Sequence, residues 1–267
     1  MASQITFDGL NLSPVLVPKK DGNWIAFQSN RWGYSSICML PWEGKTDKHI
    51  TLIKGDKSPA FESLHLFKSK ISSSSSGKIA FISKSNEKDV LYIYDTQKMK
   101  LMEKLFFDSL VTLSSPSWSY DDKKIVFSGV TKKGFKDLYY YDLENKFLVR
   151  MTNDIYEDQY PSWSPDGNKI LFSSDRGQFG KEGYLNLFVY DITKPEITQL
   201  TLGAFNDKQA CWSPDGKTMA FSSDRTGNYN LYLYYDSLGL KQITHSISGA
   251  FEPQFTPDGK NLLFSGF

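Results

Sequence analysis

One phrase recurs along this chain at a nearly constant interval, and it constrains the fold more than any other feature. The copies "PSWSYDDKKIVFSG" (116–129), "PSWSPDGNKILFSSDR" (161–176), "ACWSPDGKTMAFSSDR" (210–225) and "PQFTPDGKNLLFSG" (253–266) place Trp118, Trp163, Trp212 and Phe255 at spacings of 45, 49 and 43 residues. Two weaker copies precede them, "PVLVPKKDGNWIAFQSNR" (14–31) and "KISSSSSGKIAFISK" (70–84), so six units fill the chain. A period in this range is the mark of a repeat architecture in which each unit buries its apolar surface against the next.

Within a unit the elements follow one order. Ser164-Pro165-Asp166-Gly167 suits a type I turn, with Pro fixing φ at the second position, Asp at the third and Gly closing it. The strand after it, "KILFSS" or "TMAFSS", is apolar at consecutive positions, as a strand covered on both faces requires. A third strand ending in Asp follows in "LYIYD" (91–95), "LYYYD" (138–142) and "LFVYD" (187–191), and a short fourth in "FLVRMT", "EITQLT" and "LKQIT".

Four antiparallel strands in each unit of roughly 40 to 50 residues predict an all-β, six-bladed β-propeller of four-stranded antiparallel blades. A β-sandwich would show shorter turn spacing and polar outer faces. Residues 1–267 are read as a single β-propeller domain with blade anchors near residues 17, 72, 118, 163, 212 and 255. The last blade is expected to be closed by the N-terminal strand: Gln4-Ile5-Thr6 matches Gln242-Ile243-Thr244, so residues 4–7 should pair into the blade begun at Pro253. That blade would still lack one strand. Either it has three strands, or the chain is a segment of a longer polypeptide.

Composition narrows the partners. Thirty-one Lys and Arg against thirty Asp and Glu leave a net charge of +1, so no global field draws the chain to nucleic acid or anionic lipid. No stretch approaches the roughly 20 apolar residues of a bilayer span, and the N-terminus lacks the basic and apolar regions of a secretory signal. That reads as cytoplasmic unless a leader is missing. Cys38 and Cys211, far apart in the chain, read as small buried hydrophobes rather than a disulfide.

The phrase P-x-W-S-P-D-G-x-x-I-x-F-S-S-D-R, followed by a strand ending Tyr-Asp and then Gln-Leu-Thr, resembles the WD-repeat-like repeat of TolB-like β-propellers. The same repeat type occurs in the propellers of prolyl-oligopeptidase-like peptidases and of oligogalacturonate-lyase-like enzymes, so it implies architecture more than function. The resemblance to TolB implies a periplasmic protein that binds envelope partners and whose propeller follows a separate α/β domain. Residues 1–267 contain no such domain.

The chemistry expected of an enzyme is absent from the pattern. A peptidase needs G-x-S-x-G with Asp and His downstream, and the nearest fragment, "GYSSI" at Gly33, lacks the second Gly. His49, His65 and His245 occupy unrelated positions of their units and do not converge as metal ligands. "SSSSSGK" (72–78) leads into a strand, not the helix a phosphate loop opens. No catalytic residue and no resident metal or cofactor are assigned, with a divalent cation at the channel mouth as a secondary expectation.

What remains is the face where the fourth-to-first connectors and the second-to-third loops open. The connectors supply Asp154, Glu157, Asp158, Gln159, Asn206, Asp207, Lys208 and Glu252, and the loops supply Arg31, Arg176 and Arg225. Asp175 and Asp224 recur at one repeat position and are read as ordering their loops; Trp118, Trp163 and Trp212 are read as packing between blades. The chain is therefore expected to be a monomeric, non-catalytic binding module that docks a protein or peptide at this mouth, without nucleic acid or membrane insertion. The alternatives are a propeller enzyme acting on an oligosaccharide, or a propeller fragment of a larger prolyl-oligopeptidase-like protein.

Overall fold

The computed structural model describes residues 2–42, 49–55, 63–64, 70–236 and 239–267. Wherever the Ser-Pro-Asp-Gly phrase occurs it builds the same hairpin. Gly167 donates its N–H to the Ser164 carbonyl (3.0 Å), the Ser164 hydroxyl donates to Asp166 Oδ1 (2.6 Å), and the Lys169 N–H donates back to that hydroxyl (2.9 Å). Gly167 and Gly216 sit at φ +74° and +70°, where a side chain is disfavoured, and Asp122 takes the equivalent place in its own unit at φ 57°. At the end of the third strand Asp142 and Asp191 each accept two backbone N–H groups, which turns the chain into the fourth strand. The following Thr then accepts an N–H of the third strand: Thr152 from Leu138 (2.9 Å), Thr201 from Leu187 (2.9 Å) and Thr244 from Leu231 (2.8 Å).

These signals fold into five blades, each an antiparallel sheet with its strands in chain order from the channel outward. The first contains β1 (Asn11–Lys19), β2 (Gly22–Ser29), β3 (Ser36–Pro41) and β4 (Ile50–Lys54). In the second, the inner position is shared by two short pieces, β5 (Ser63–Leu64) and β6 (Ser72–Ser73), both paired with β7 (Lys78–Ser85), and β8 (Lys88–Asp95) and β9 (Lys100–Leu105) follow. The third contains β10 (Leu110–Trp118), β11 (Lys124–Thr131), β12 (Lys136–Asp142) and β13 (Phe147–Arg150). The fourth contains β14 (Asp158–Trp163), β15 (Lys169–Ser174), β16 (Asn186–Asp191) and β17 (Glu196–Gln199). The fifth contains β18 (Asp207–Trp212), β19 (Thr218–Ser223), β20 (Asn230–Tyr235) and β21 (Gly239–Gln242).

The core lies between blades, which explains the unbroken apolar runs of the second strands. Phe81, Phe127, Phe172 and Phe221 are all 0 % exposed, and each blade's side chains interleave with its neighbour's in a separate apolar cluster. Trp118, Trp163 and Trp212 belong to three successive clusters of this kind. Cys38 and Cys211 are buried and free. Among the described residues no helix is long and apolar enough to cross a membrane.

The ring departs from the sequence expectation in two respects. It has five blades, not six, because the last unit forms only a two-stranded sheet of β22 (Ala250–Phe255) and β23 (Leu262–Gly266). Residues 4–7 form no strand, so no N-terminal strand closes a last blade. The segment satisfies its polar groups locally instead: Gln4 Nε2 donates to the Thr6 carbonyl (2.8 Å), and Asn11 Nδ2 donates to the Asp8 carbonyl (2.9 Å). Gln242-Ile243-Thr244 ends a fourth strand because the Leu231 N–H is there for Thr244 to accept, and Thr6 has no third strand beside it.

Closure is made by packing and by one carboxylate. Leu263 joins Leu16, Ile25, Phe27, Cys38 and Leu40 in an apolar cluster between β23 and the first blade. Glu252 of β22 accepts the Ser13 N–H at Oε2 and the Ser13 hydroxyl at Oε1, both at 2.6 Å.

Candidate functional site

The inner strands share one irregularity. Their pairing with the second strand slips between Leu12 and Val15, Ser114 and Ser117, Gln159 and Ser162, Lys208 and Cys211, and Phe251 and Gln254. At each bulge one non-glycine residue takes a positive φ: Ser13 (52°), Ser115 (54°), Tyr160 (55°), Gln209 (57°) and Glu252 (55°). A bulge re-aims its side chain, and a residue held at positive φ costs about 1–3 kcal/mol, so the device persists only where packing enforces it. By register with β6, Lys70 holds the corresponding place in the second unit.

Ser13, Lys70, Gln209 and Glu252 from this set line a central cavity of about 420 Å³. Trp118, Trp163, Trp212 and Phe255 supply its apolar wall, and Pro18, near the end of β1, with Ser75, Tyr120, Pro214 and Pro257, from the first-to-second turns, line it too. The cavity therefore runs from the bulges toward the turn face. The three tryptophans are 5, 2 and 8 % exposed, and their indole N–H groups meet no acceptor among the described residues, which fits packing as their first role.

The cavity carries ionisable groups held in unusual states by burial. Burial holds the Lys70 ammonium below the ordinary lysine range, with Cys211 and Glu252 opposing the shift. Burial pushes the Tyr120 phenol up to about 12 and the Cys211 thiol up to about 11, and at the β14 bulge, outside the cavity lining, it raises Tyr160, with Glu252 adding to the last. Cys211 and the tyrosines are therefore neutral donors at physiological pH. Glu252 ties three units together: its N–H donates to Gln209 Oε1 (3.2 Å), and its carboxylate accepts from Ser13 and from the Ser265 hydroxyl (3.0 Å).

Of the residues read from sequence as the mouth, only Glu252 lines this cavity. Asp158 and Asp207 have side chains 0 % exposed at the head of β14 and β18, each gripped by an arginine 18 residues on. Arg176 Nη2 donates to both Asp158 oxygens (2.7 and 2.7 Å), and Arg225 Nη2 to both Asp207 oxygens (2.8 and 2.9 Å). Each guanidinium also stacks over rings, Arg225 lying 4.3 Å from the Phe205 centroid and Arg176 5.2 Å from that of Tyr156. Arg31 repeats the arrangement in the first blade against the neutral Asn11 Oδ1 (3.2 Å) and His49 Nδ1 (2.9 Å). These are spokes within single blades that tie the head of an inner strand to the loop after the second strand.

The other expected mouth residues are distributed around the same rim. Asp154 accepts from Arg176 Nη1 (3.2 Å), and Asn206 donates through Nδ2 to Asp224 (3.0 Å). Glu157, 58 % exposed, pairs with Lys136 (3.7 Å) and accepts from Gln159 Nε2 (2.9 Å), and Lys208 lies over the Tyr229 ring at 5.8 Å. Asp175 and Asp224 accept the backbone N–H groups of Glu157 and Asn206, 18 residues earlier in each case. His65 lies outside the described residues.

Among the described residues, Asp137, Asp154 and Asp158 bring carboxylate oxygens within 4.8 Å of one another, close enough to share a cation. Their oxygens are already engaged, however: Arg150 bonds Asp137, and Arg176 bonds both Asp154 and Asp158. A cation would have to displace a guanidinium, so the cluster is a charge-paired network.

Comparisons with known proteins agree with the geometry. The model of the TolB β-propeller domain family matches residues 58–181. A Tol-Pal system protein TolB from Francisella tularensis subsp. mediasiatica is 33 % identical over 155 residues, covering 57 % of this chain and 34 % of that protein. The chain thus spans about a third of the length of that relative. The solved structure of a putative TolB from Agrobacterium tumefaciens superposes with a TM-score of 0.76 at 20 % identity, over 97 % of this chain and 91 % of that one. An oligogalacturonate lyase from Vibrio parahaemolyticus gives a TM-score of 0.65 at 16 % identity, over 95 % of this chain and 70 % of that one. Identities this low show the fold alone, which an enzyme and a TolB share. With the sequence match and the family model added, the chain is a β-propeller similar to those of the TolB family.

Proposed function

We propose that the protein is a non-catalytic docking module that receives an extended segment of a partner protein in its central cavity. One observation carries this reading. At equivalent places in the repeat, three of them bulges, stand side chains of unlike chemistry, Ser13, Lys70, Gln209 and Glu252, around a cavity of about 420 Å³ with aromatic and prolyl walls. Repetition serves the scaffold, whereas variation at one inward-facing position confers recognition. The volume falls in the range of about 300–1,000 Å³ typical of ligand pockets. The relatives' name, Tol-Pal system protein, supports a protein partner, and the proposal carries the periplasmic location that the TolB resemblance implies.

Selection of a displayed random-peptide library against the folded protein tests the reading, with tryptophan fluorescence to measure the selected peptide's affinity. The expected result is a peptide whose binding weakens about tenfold or more, about 1.4 kcal/mol, in Lys70→Met or Tyr120→Ala protein of unchanged melting temperature. Peptides indifferent to both substitutions would overturn the channel as the docking site.

A further inference from the structure

The central cavity holds a nucleophile as well as a recognition surface. Among the described residues, Lys70 is the only amine in its lining and Glu252 the only carboxylate. The chain next to Lys70 is fixed from two sides. Ile71 is 1 % exposed in the core between the first two blades, the Ser73 hydroxyl donates to the Leu16 carbonyl (2.7 Å), and the Trp118 N–H donates to the Ser72 hydroxyl (3.1 Å). Lys70 itself is half-buried, so its stem is committed to the cavity wall rather than to bulk water.

That setting changes the chemistry of the amine. Burial disfavours the ammonium, and Cys211 and Glu252 oppose the shift without reversing it. Glu252 divides its charge among other donors, since its oxygens accept from the Ser13 N–H, the Ser13 hydroxyl and the Ser265 hydroxyl. A larger share of Lys70 is therefore neutral amine near pH 7 than of an exposed lysine. A desolvated lysine of this kind is the form that attacks carbonyl carbon. The imine it forms is uncharged, so burial that disfavours the ammonium does not disfavour the product.

The walls decide which carbonyl compound fits. Trp118, Trp163, Trp212 and Phe255 offer aromatic surface around a space of about 420 Å³, room for a small ring compound. An anionic carbonyl compound meets the opposite situation. Once Lys70 has become an imine no cation remains in the lining, and the Glu252 carboxylate repels a second negative charge.

We propose that Lys70 is a covalent capture site for small, uncharged aromatic aldehydes, held in the central cavity as an imine. The lone pair of Nζ attacks the carbonyl carbon, a C–N bond forms, and one nitrogen proton passes to the oxygen to give a carbinolamine. The C–O bond then breaks, and the hydroxyl leaves as water with the remaining nitrogen proton as the C=N bond forms. Nothing is oxidised or reduced, and the capture is reversible. The site shares the cavity with the docking reading but needs nothing from it, because capture is measured with no peptide present.

The test treats the folded protein at pH 7 with benzaldehyde and sodium cyanoborohydride, which reduces the imine to a stable benzylamine, and follows each lysine by peptide mass spectrometry. Lys208 is the internal control. Burial lowers it too, with Asp224 opposing, but it lies over the Tyr229 ring and outside the cavity lining. Lys70 is expected to label at least tenfold faster than the exposed lysines, and its rate should level off at a lower pH than theirs. With glyoxylate in place of benzaldehyde, labelling of Lys70 should fall at least tenfold relative to that of Lys208. Labelling of Lys70 no faster than that of exposed lysines would overturn the proposal. So would the same preference between the two aldehydes at Lys70 and Lys208, since the cavity would then select nothing.

Discussion

Glu252 binds both the N–H and the hydroxyl of Ser13, at 2.6 Å each, across 239 residues of sequence. The two residues occupy the same bulge position in the last and first units, so the strained backbone that shapes the cavity also holds the ring shut. Replacing Glu252 by Ala should cost about 1–3 kcal/mol, since it leaves buried donors unsatisfied. The loss should appear as a lower urea midpoint and faster amide exchange in β1 and β22, with β10 to β17 unaffected.

The arginine spokes should differ in their sensitivity to truncation. Arg225→Met leaves the Asp207 carboxylate, 0 % exposed, without its cation, and about 3–5 kcal/mol should be lost. Arg31→Met faces the neutral Asn11 and should cost less, about 1–2 kcal/mol. Adding Asp207→Asn to Arg225→Met should recover part of the stability, and chemical denaturation of the four proteins measures the difference.

These particulars show which parts of the molecule were legible in sequence. The turn at Ser164 to Gly167 and the doubly covered strand after it depend on neighbours in the chain, and the phrase reports them. The match of Gln4-Ile5-Thr6 to Gln242-Ile243-Thr244 misled, because that signature ends a strand only where a third-strand N–H awaits the threonine, as the Leu231 N–H awaits Thr244. Asp158 and Arg176 were each visible as polar mouth residues, but their mutual neutralisation depends on the strand pairing that sets Asp158 opposite Ser174. Of the bulge residues only Glu252 was legible, as a connector carboxylate; Ser13, Ser115, Tyr160 and Gln209 escaped notice because they contribute no periodicity. Their signal was the one variable place before a repeated Pro-x-aromatic phrase, as in Tyr160-Pro161 and Glu252-Pro253.

Acid should loosen the hairpins before the core. Hydroxyl donation from Ser164, Thr193, Ser213 and Thr256 holds Asp166, Asp191, Asp215 and Asp258 below their ordinary 3.8. A depressed folded-state value stabilises the fold above the unfolded value and ceases to do so as pH falls through the folded one. The melting temperature should therefore fall progressively below about pH 4, and Asp166→Asn should make that fall shallower.

Both cysteines should resist thiol reagents in the folded protein. Cys211 is 4 % exposed, and burial pushes its thiol up to about 11, so little thiolate exists at pH 8. Labelling by a chromogenic disulfide should be slow in buffer and complete in denaturant; rapid labelling of Cys211 in buffer would show that the cavity wall opens.

The docking claim is tested most directly by photocrosslinking. Benzoylphenylalanine placed at Tyr120, 45 % exposed and lining the cavity, is compared with the same group at Ile155, 75 % exposed on the connector face. With the selected peptide bound, crosslinks are expected from position 120 and not from position 155. Crosslinks from 155 alone would place the partner on the connector face and contradict docking in the channel.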